Sequence, residues 1–183
     1  MEWILPGTVL KARAEDAENV ESLLHPMFLA GGMVLSQVAS VTGLEPYIIQ
    51  NWVKRGFLSP PQNKRYTLRQ LCRILNINML KGVLPMERIC GMLGYINGQL
   101  DDEGDDIIDD SQLYFMFVRL AARSRELDQN GTWKEAIDQV LQSYQETISG
   151  ARERIARVLR IMLIAYVAAR MKEEAEALLT ELT

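Results

Sequence analysis

LSQVASVTGLEPYIIQNWVKRG, residues 35–56, decides how the chain is read. Ser36 has the side chain of a helix N-cap, and Val38, Ala39 and Val41 give a short apolar face that ends at Gly43. A second helix opens with Pro46 in its first turn, where a proline loses no hydrogen bond because that N–H has no partner anyway. It runs through Ile48, Ile49, Trp52 and Val53 and stops at Gly56. Two short helices joined by a tight glycine-bearing turn form a helix-turn-helix pattern, and a generic helical hairpin reads the same way.

Working outward, residues 59–66 carry Pro60 and Pro61 and cannot be helix; with Lys64 and Arg65 they predict a compact basic turn or small wing. Thr67 caps a third helix, Leu68–Leu80, with Leu68, Leu71, Cys72, Leu75 and Met79 at helical spacing. Pro85 opens a fourth, carrying Met86, Ile89, Cys90 and Leu93 and closing at Gly94. Upstream, residues 1–18 read as weakly structured. Ala17–Leu24 reads as a short amphipathic helix interrupted by His25 and Pro26.

Downstream, residues 97–111 are acidic, with seven carboxylates between Asp101 and Asp110. An EF-hand calcium loop does not fit, because Gly104 would put Gln99 at the first ligand position. The stretch reads as a solvated linker whose Asp109 and Asp110 favour the start of the next helix, Leu113–Leu127. From Trp133 the longest pattern begins: Ile137, Leu141, Tyr144, Ile148, Ala151, Ile155, Val158, Met162, Ala165 and Ala169 alternate spacings of four and three. A heptad passing through Gly150 in phase argues for one long or gently bent helix, with two packed helices as the alternative. Residues 161–169 are apolar nearly all round, so this helix needs a partner, and a second copy of the chain is the expected one.

The chain has 183 residues, 48% hydrophobic and 24% charged, which fits a globular protein and excludes a disordered one. No secretory leader is visible, and the longest apolar stretch falls well short of the ~20 residues of a membrane span. Cys72 and Cys90 make neither a disulfide framework nor a paired-thiolate zinc site, so no metal and no cofactor are expected, and the location is read as cytoplasmic. His25 is the single histidine, and no nucleophile, phosphate loop or metal-ligand spacing accompanies it, so the chain is not read as an enzyme. The net charge of −4 conceals an asymmetry: residues 1–34 carry −3, residues 35–100 carry +6 and residues 101–183 carry −7. An acidic protein with one basic block is arranged to present that block to a polyanion.

The ordered features of residues 35–93 resemble the DNA-binding domain of the MerR family. The match comprises a helix ending in Val41-Thr42-Gly43-Leu44, a second ending in Gly56-Phe57-Leu58, a proline-bearing wing start and a basic residue before Tyr66. A third helix through Leu71 and the Pro85-Met86-Glu87-Arg88-Ile89 start of a fourth complete it. The run from Gln50 to Gly56, the Lys64-Arg65-Tyr66 wing and the exit at Tyr95-Ile96-Asn97-Gly98 are closer still to an uncharacterised bacterial family of unknown function with MerR-like domains. The wing is shorter than in most MerR proteins. No cysteine cluster follows, so thiol-based metal sensing is not carried over.

The resemblance implies an all-α protein: an N-terminal helical cap over residues 1–32, a MerR-like winged helix-turn-helix over 33–98, an acidic linker over 99–111 and a helical dimerisation region over 112–183. It implies a dimeric transcriptional regulator that reads double-stranded DNA with the helix at 46–55. Tyr47, Gln50, Asn51 and Lys54 face outward when Ile48, Ile49, Trp52 and Val53 face in. Gln50 and Asn51 suit adenine edges, while Tyr47, Lys54, Arg55, Lys64, Arg65 and Arg69 suit phosphates. The homodimer seam is assigned to Ile148, Ile155, Val158, Met162, Ala165 and Ala169. Tyr114, Phe115, Trp133 and Tyr144 read as core or as the lining of an effector pocket, with the effector unknown. The alternative is a helical adaptor that uses the same fold to bind a protein.

Overall fold

The computed structural model describes residues 2–98, 100, 104, 106–146 and 148–182. It is mostly helical. The N-terminal residues, expected to be weakly structured, form a hairpin of β1 (Glu2–Ile4) and β2 (Lys11–Arg13), paired antiparallel with Trp3 opposite Ala12. Its turn lies against the helix at 68–80: Gly7 sits at φ +74°, and a Cβ there would collide with the Leu75 carbonyl oxygen. A 3-10 turn at Ala14–Asn19 and α1 (Val20–Leu24) follow. Another 3-10 turn, at His25–Phe28, accommodates the proline interruption.

The central elements are β3 (Met33–Val34), α2 (Leu35–Thr42), α3 (Pro46–Lys54), β4 (Arg65–Tyr66), α4 (Leu68–Leu80) and α5 (Met86–Asn97). The bounds of α4 are those read from the sequence. Thr67 caps it reciprocally, the Gln70 amide donating to Thr67 Oγ1 (3.2 Å) and the Thr67 amide to Gln70 Oε1 (2.9 Å). The helix α5 passes through Gly94 and ends three residues later, so that glycine does not stop it. Val34 pairs with Arg65 and Met33 with Tyr66, which closes α2 and α3 inside a small two-stranded clasp.

The C-terminal half comprises α6 (Asp110–Ala122), α7 (Ser124–Asn130), α8 (Trp133–Val140) and α9 (Ala151–Glu181). Two sequence expectations are corrected here. The helix foreseen over 113–127 is two helices that meet at Arg123. The long heptad is also broken: a 3-10 turn at Leu141–Ser143 and an extended Tyr144 end α8, and Gly150 at φ +81° is the N-cap of α9. That left-handed conformation suits glycine and cannot continue a right-handed helix.

One hydrophobic core runs through every region, from Leu5 and Leu24 to Leu71, Leu75, Phe117, Ile155 and Met162. The acidic stretch is therefore no boundary between two cores. Ile107 and Ile108 are buried, the Ile107 amide donates to the Ile96 carbonyl (2.9 Å), and Tyr144 Oη donates to the Ile107 carbonyl (2.5 Å). Asp109 caps α6 as expected, accepting from the Ser111 amide (2.7 Å). The calcium reading concerned residues that include Asp101–Glu103 and Asp105, which lie outside the described residues. No helix among the described residues is long and apolar enough to cross a membrane.

The extensive α4–α6 contact holds a buried ion pair. Arg73 Nη1 meets Asp110 Oδ2 at 3.2 Å, with both side chains almost fully covered, and Arg73 Nε donates to the Phe57 carbonyl (3.0 Å). Burial outweighs the pull of Arg73 and pushes the Asp110 carboxyl up. Arg73→Met is expected to cost about 3 kcal/mol in urea unfolding, because it strands the other charge, and Arg73→Met with Asp110→Leu is expected to recover most of that loss. A carboxyl raised in the fold above its unfolded value contributes stability at low pH that is lost as pH rises through the folded value. The penalty of Arg73→Met should therefore shrink as the pH is lowered.

Candidate nucleic-acid interface

The helix α3 is fixed at both ends. At its start, Thr42 Oγ1 donates to the Val38 carbonyl (2.8 Å) and accepts from the Leu44 amide (3.2 Å), shaping the turn from α2. Asn78 of α4 braces that turn by donating to the Thr42 carbonyl (3.0 Å). At its end, the Phe57 amide donates to the Trp52 carbonyl (2.9 Å), and the Phe57 carbonyl is the one gripped by Arg73. Between these anchors Ile49 and Trp52 are buried, so Trp52 is core, as its helical phase indicated.

The opposite face of α3 carries Tyr47, Gln50, Asn51 and Lys54, all exposed, with Tyr47 at 68%. None of these four side chains has a hydrogen bond or ion pair among the described residues. A polar face with one exposed tyrosine, on a helix held rigidly at both ends, offers donors and acceptors without internal competition.

Beside it, residues 62–65 form a two-residue turn. The Arg65 amide donates to the Gln62 carbonyl (2.8 Å), and both central residues lie at positive φ, Asn63 at 49° and Lys64 at 61°. Turns of this kind match the twist of paired strands and favour Asn followed by Gly. Here lysine stands where glycine is preferred, so a cation is held at the tip at some conformational cost. Gln70 steadies the approach to the turn, its Nε2 donating to the Ser59 and Pro60 carbonyls (both 3.0 Å).

The remaining cations divide. Arg65 is exposed but donates to the Gly32 carbonyl (2.8 Å). Arg55 pairs with Glu87 (2.9 Å) and lies over the Phe57 ring. Arg69, expected at the start of α4 to hold a phosphate beside the wing, has a side chain only 19% exposed and bound to Asp106 (2.5 Å) and Asp109 (3.5 Å), so its charge is met within the chain. Arg88, exposed on α5, was counted in the basic block but not assigned to the site. Its sequence neighbour Glu87 reaches the end of α3, which is what brings the start of α5 beside the interface.

The expected dimer seam is also displaced. Ile155, Val158, Met162 and Ala165 are covered by their own chain, where α9 packs on α4, α5 and α6. Side chains already in a core are not available to a second copy. Of the other two, Ile148 is exposed in the loop before α9, and Ala169 is half-buried. Tyr114, Phe115 and Tyr144 are core, and Trp133 is half-buried against it.

Residues 32–117 match a protein family described as a domain of unknown function, DUF1836. The matched span runs from the β3 clasp into α6, so it includes the acidic segment and the helix packed on α4. An uncharacterized protein of Bacillus subtilis (strain 168), YkrK, is 31% identical over 78 residues, covering 40% of this chain. The chain spans 34% of that relative's length. No solved structure matches.

The strain at the turn is testable apart from any ligand. Lys64→Gly is expected to raise stability by about 0.5–1 kcal/mol, the relief of a left-handed lysine less the added freedom of glycine in the unfolded chain. Lys64→Ala, which keeps the strained φ, is expected to leave the denaturation midpoint unchanged.

Proposed function

We propose that residues 33–98 form a MerR-like winged helix-turn-helix that binds double-stranded DNA, and that the chain acts as a dimeric transcriptional regulator. The observation that carries this reading is the unpaired polar face of α3 beside a cation held at the tip of a tight turn. In this arrangement α2 is the supporting helix and α3 enters the major groove. Gln50 and Asn51 read base edges, Tyr47 and Lys54 bond flanking phosphates, and the 62–65 turn is the wing that places Lys64 on the backbone. Arg55 and Arg65 contribute to the field with part of their bonding capacity used internally. Arg69 contributes little.

Dimerisation is assigned to a different seam of α9. Ile161, Ile164, Ala168, Met171, Ala175, Leu178 and Leu182 repeat at spacings of three and four, and the five large ones are 45–83% exposed. From Met171 through Leu182 every residue is exposed, along about 18 Å of helix. Such a heptad seam is what a coiled coil buries. Charge favours an antiparallel partner: residues 151–160 carry four arginines and one glutamate, whereas 170–182 carry two basic and four acidic residues. The seam continues into a groove of about 900 Å³ between α8 and α9, floored by Trp133, Ile137, Ala156 and Ile164. The same seam favours the second reading, an adaptor that accepts a helix of another protein.

Binding to random-sequence duplexes is expected to weaken steeply between about 50 and about 300 mM salt, and equal affinity at both would sink the reading. Lys64→Ala and Lys64→Gly are expected to weaken all duplexes alike and to flatten the salt slope. Asn51→Ala should relax preference among selected sequences by about 1–3 kcal/mol at the bases it reads. Light scattering is expected to show a dimer at micromolar concentration that Ile164→Glu with Leu178→Glu turns into a folded monomer. A wild-type monomer that enriches no DNA motif would leave the adaptor reading standing.

A further inference from the structure

The hairpin β1–β2 closes one side of a cavity of about 510 Å³, bounded opposite by the α6–α7 junction and by α9 where it leaves the core. Its apolar walls come from Trp3, Pro6, Met79 and Ala122, and the Tyr166 ring lies on the α9 side. Two guanidiniums border it. Arg125 is exposed and has no ion pair among the described residues, and Arg170 lies over the Tyr166 ring at 5.8 Å from its centre. Glu173 is the single carboxylate among the described residues of the lining, against the two guanidiniums. The indole N–H of Trp3 is buried and has no acceptor among the described residues.

We propose that this cavity binds a small amphiphilic anion, a compact aromatic or apolar body bearing one acidic group, and that its occupancy is transmitted to α2. The aromatic body lies between Trp3 and Tyr166, and the acidic group meets Arg125 and Arg170. This is the apolar chamber with a few convergent polar groups typical of small-molecule sites. The wall that meets the ligand is bonded directly to the proposed DNA-reading unit. Tyr114 Oη donates to the Pro6 carbonyl (2.8 Å), and Asn78 donates to the carbonyls of Gly7 (2.8 Å) and Thr42 (3.0 Å). The Val9 amide donates to the Val41 carbonyl (2.9 Å). A ligand that shifts residues 5–9 therefore pulls on the last turn of α2. The regulatory consequence rests on the DNA-binding reading, whereas the site itself does not.

The test uses the full chain without DNA, titrated with anilinonaphthalene sulfonate, an aromatic anion that fluoresces when it leaves water. Saturable binding of one probe per chain is expected. Arg125→Ala and Arg170→Ala should each weaken it about tenfold, as loss of a charge-assisted hydrogen bond does, and Trp3→Phe about fivefold. Ala169→Trp, which fills the cavity, should abolish binding, while Ala156→Trp in the separate α8–α9 groove should not. Arg170→Lys keeps the charge and should retain part of the affinity, so the result does not hang on one bulky variant. Absence of saturable binding, or loss with Ala156→Trp but not with Ala169→Trp, would overturn the site. Hydrogen exchange at the Val9 and Gly43 amides should slow on saturation; unchanged exchange there overturns the coupling whether or not the chain binds DNA.

Discussion

The Arg73 guanidinium lies where three parts of the chain must meet. It bonds the Phe57 carbonyl just beyond α3 and the Asp110 carboxylate that opens α6, and it is itself carried on α4. Neither charge can be left alone in that position, since stranding an ion in a low-dielectric interior costs several kcal/mol. A buried pair of this kind adds little net stability over an apolar contact, but it ties the end of α3 to α4 and α6. That arrangement fixes which face of α3 is covered and which is open.

The same geometry changes what the charge asymmetry means. A block of +6 over residues 35–100 looks like a uniform footprint for a polyanion, yet Arg73 is buried and Arg69 is held by Asp106 and Asp109. Asp106, Asp109 and Asp110, from the acidic stretch that follows, are their counterions. What remains exposed is a smaller set, namely Lys54 on α3, Lys64 at the turn, the partly used Arg55 and Arg65, Lys81 at the end of α4, and Arg88 on α5. Sequence charge counts residues by proximity along the chain, whereas an interface counts them by where their partners lie.

Much of the central unit was legible in the residues. The bounds of α4 follow from a Thr67 cap and an apolar period, both local signals. The open face of α3 follows from the phase of Ile49 and Trp52. Other features depend on contacts far apart in sequence, and no local signal announces them. The N-terminal hairpin exists because Gly7 lets its turn press on α4 and because Val9 bonds Val41. Gly94 is carried inside α5 because the helix is held by packing on both sides of it, at Leu93 and Ile96. Gly150 is the opposite case. A single glycine is affordable within a helix, and only its left-handed φ in the folded chain reveals that it begins one.

The heptad misassignment has a physical cause. Its segment 161–169 is apolar nearly all round, and a helix with one partner needs only one apolar stripe. The stripe through Ile155, Val158, Met162 and Ala165 is the one the chain itself covers, and α8 shares its phase because both helices pack on α6. The adjacent stripe through Ile161, Ile164 and Met171 is exposed and continues along the exposed end of the helix, where nothing among the described residues buries it. A run of twelve residues, Met171 to Leu182, buries no side chain in the core, and a helix of that length is marginal in water without packing. The inner stripe thus holds the fold, while the outer one is the seam that the proposed dimer would bury.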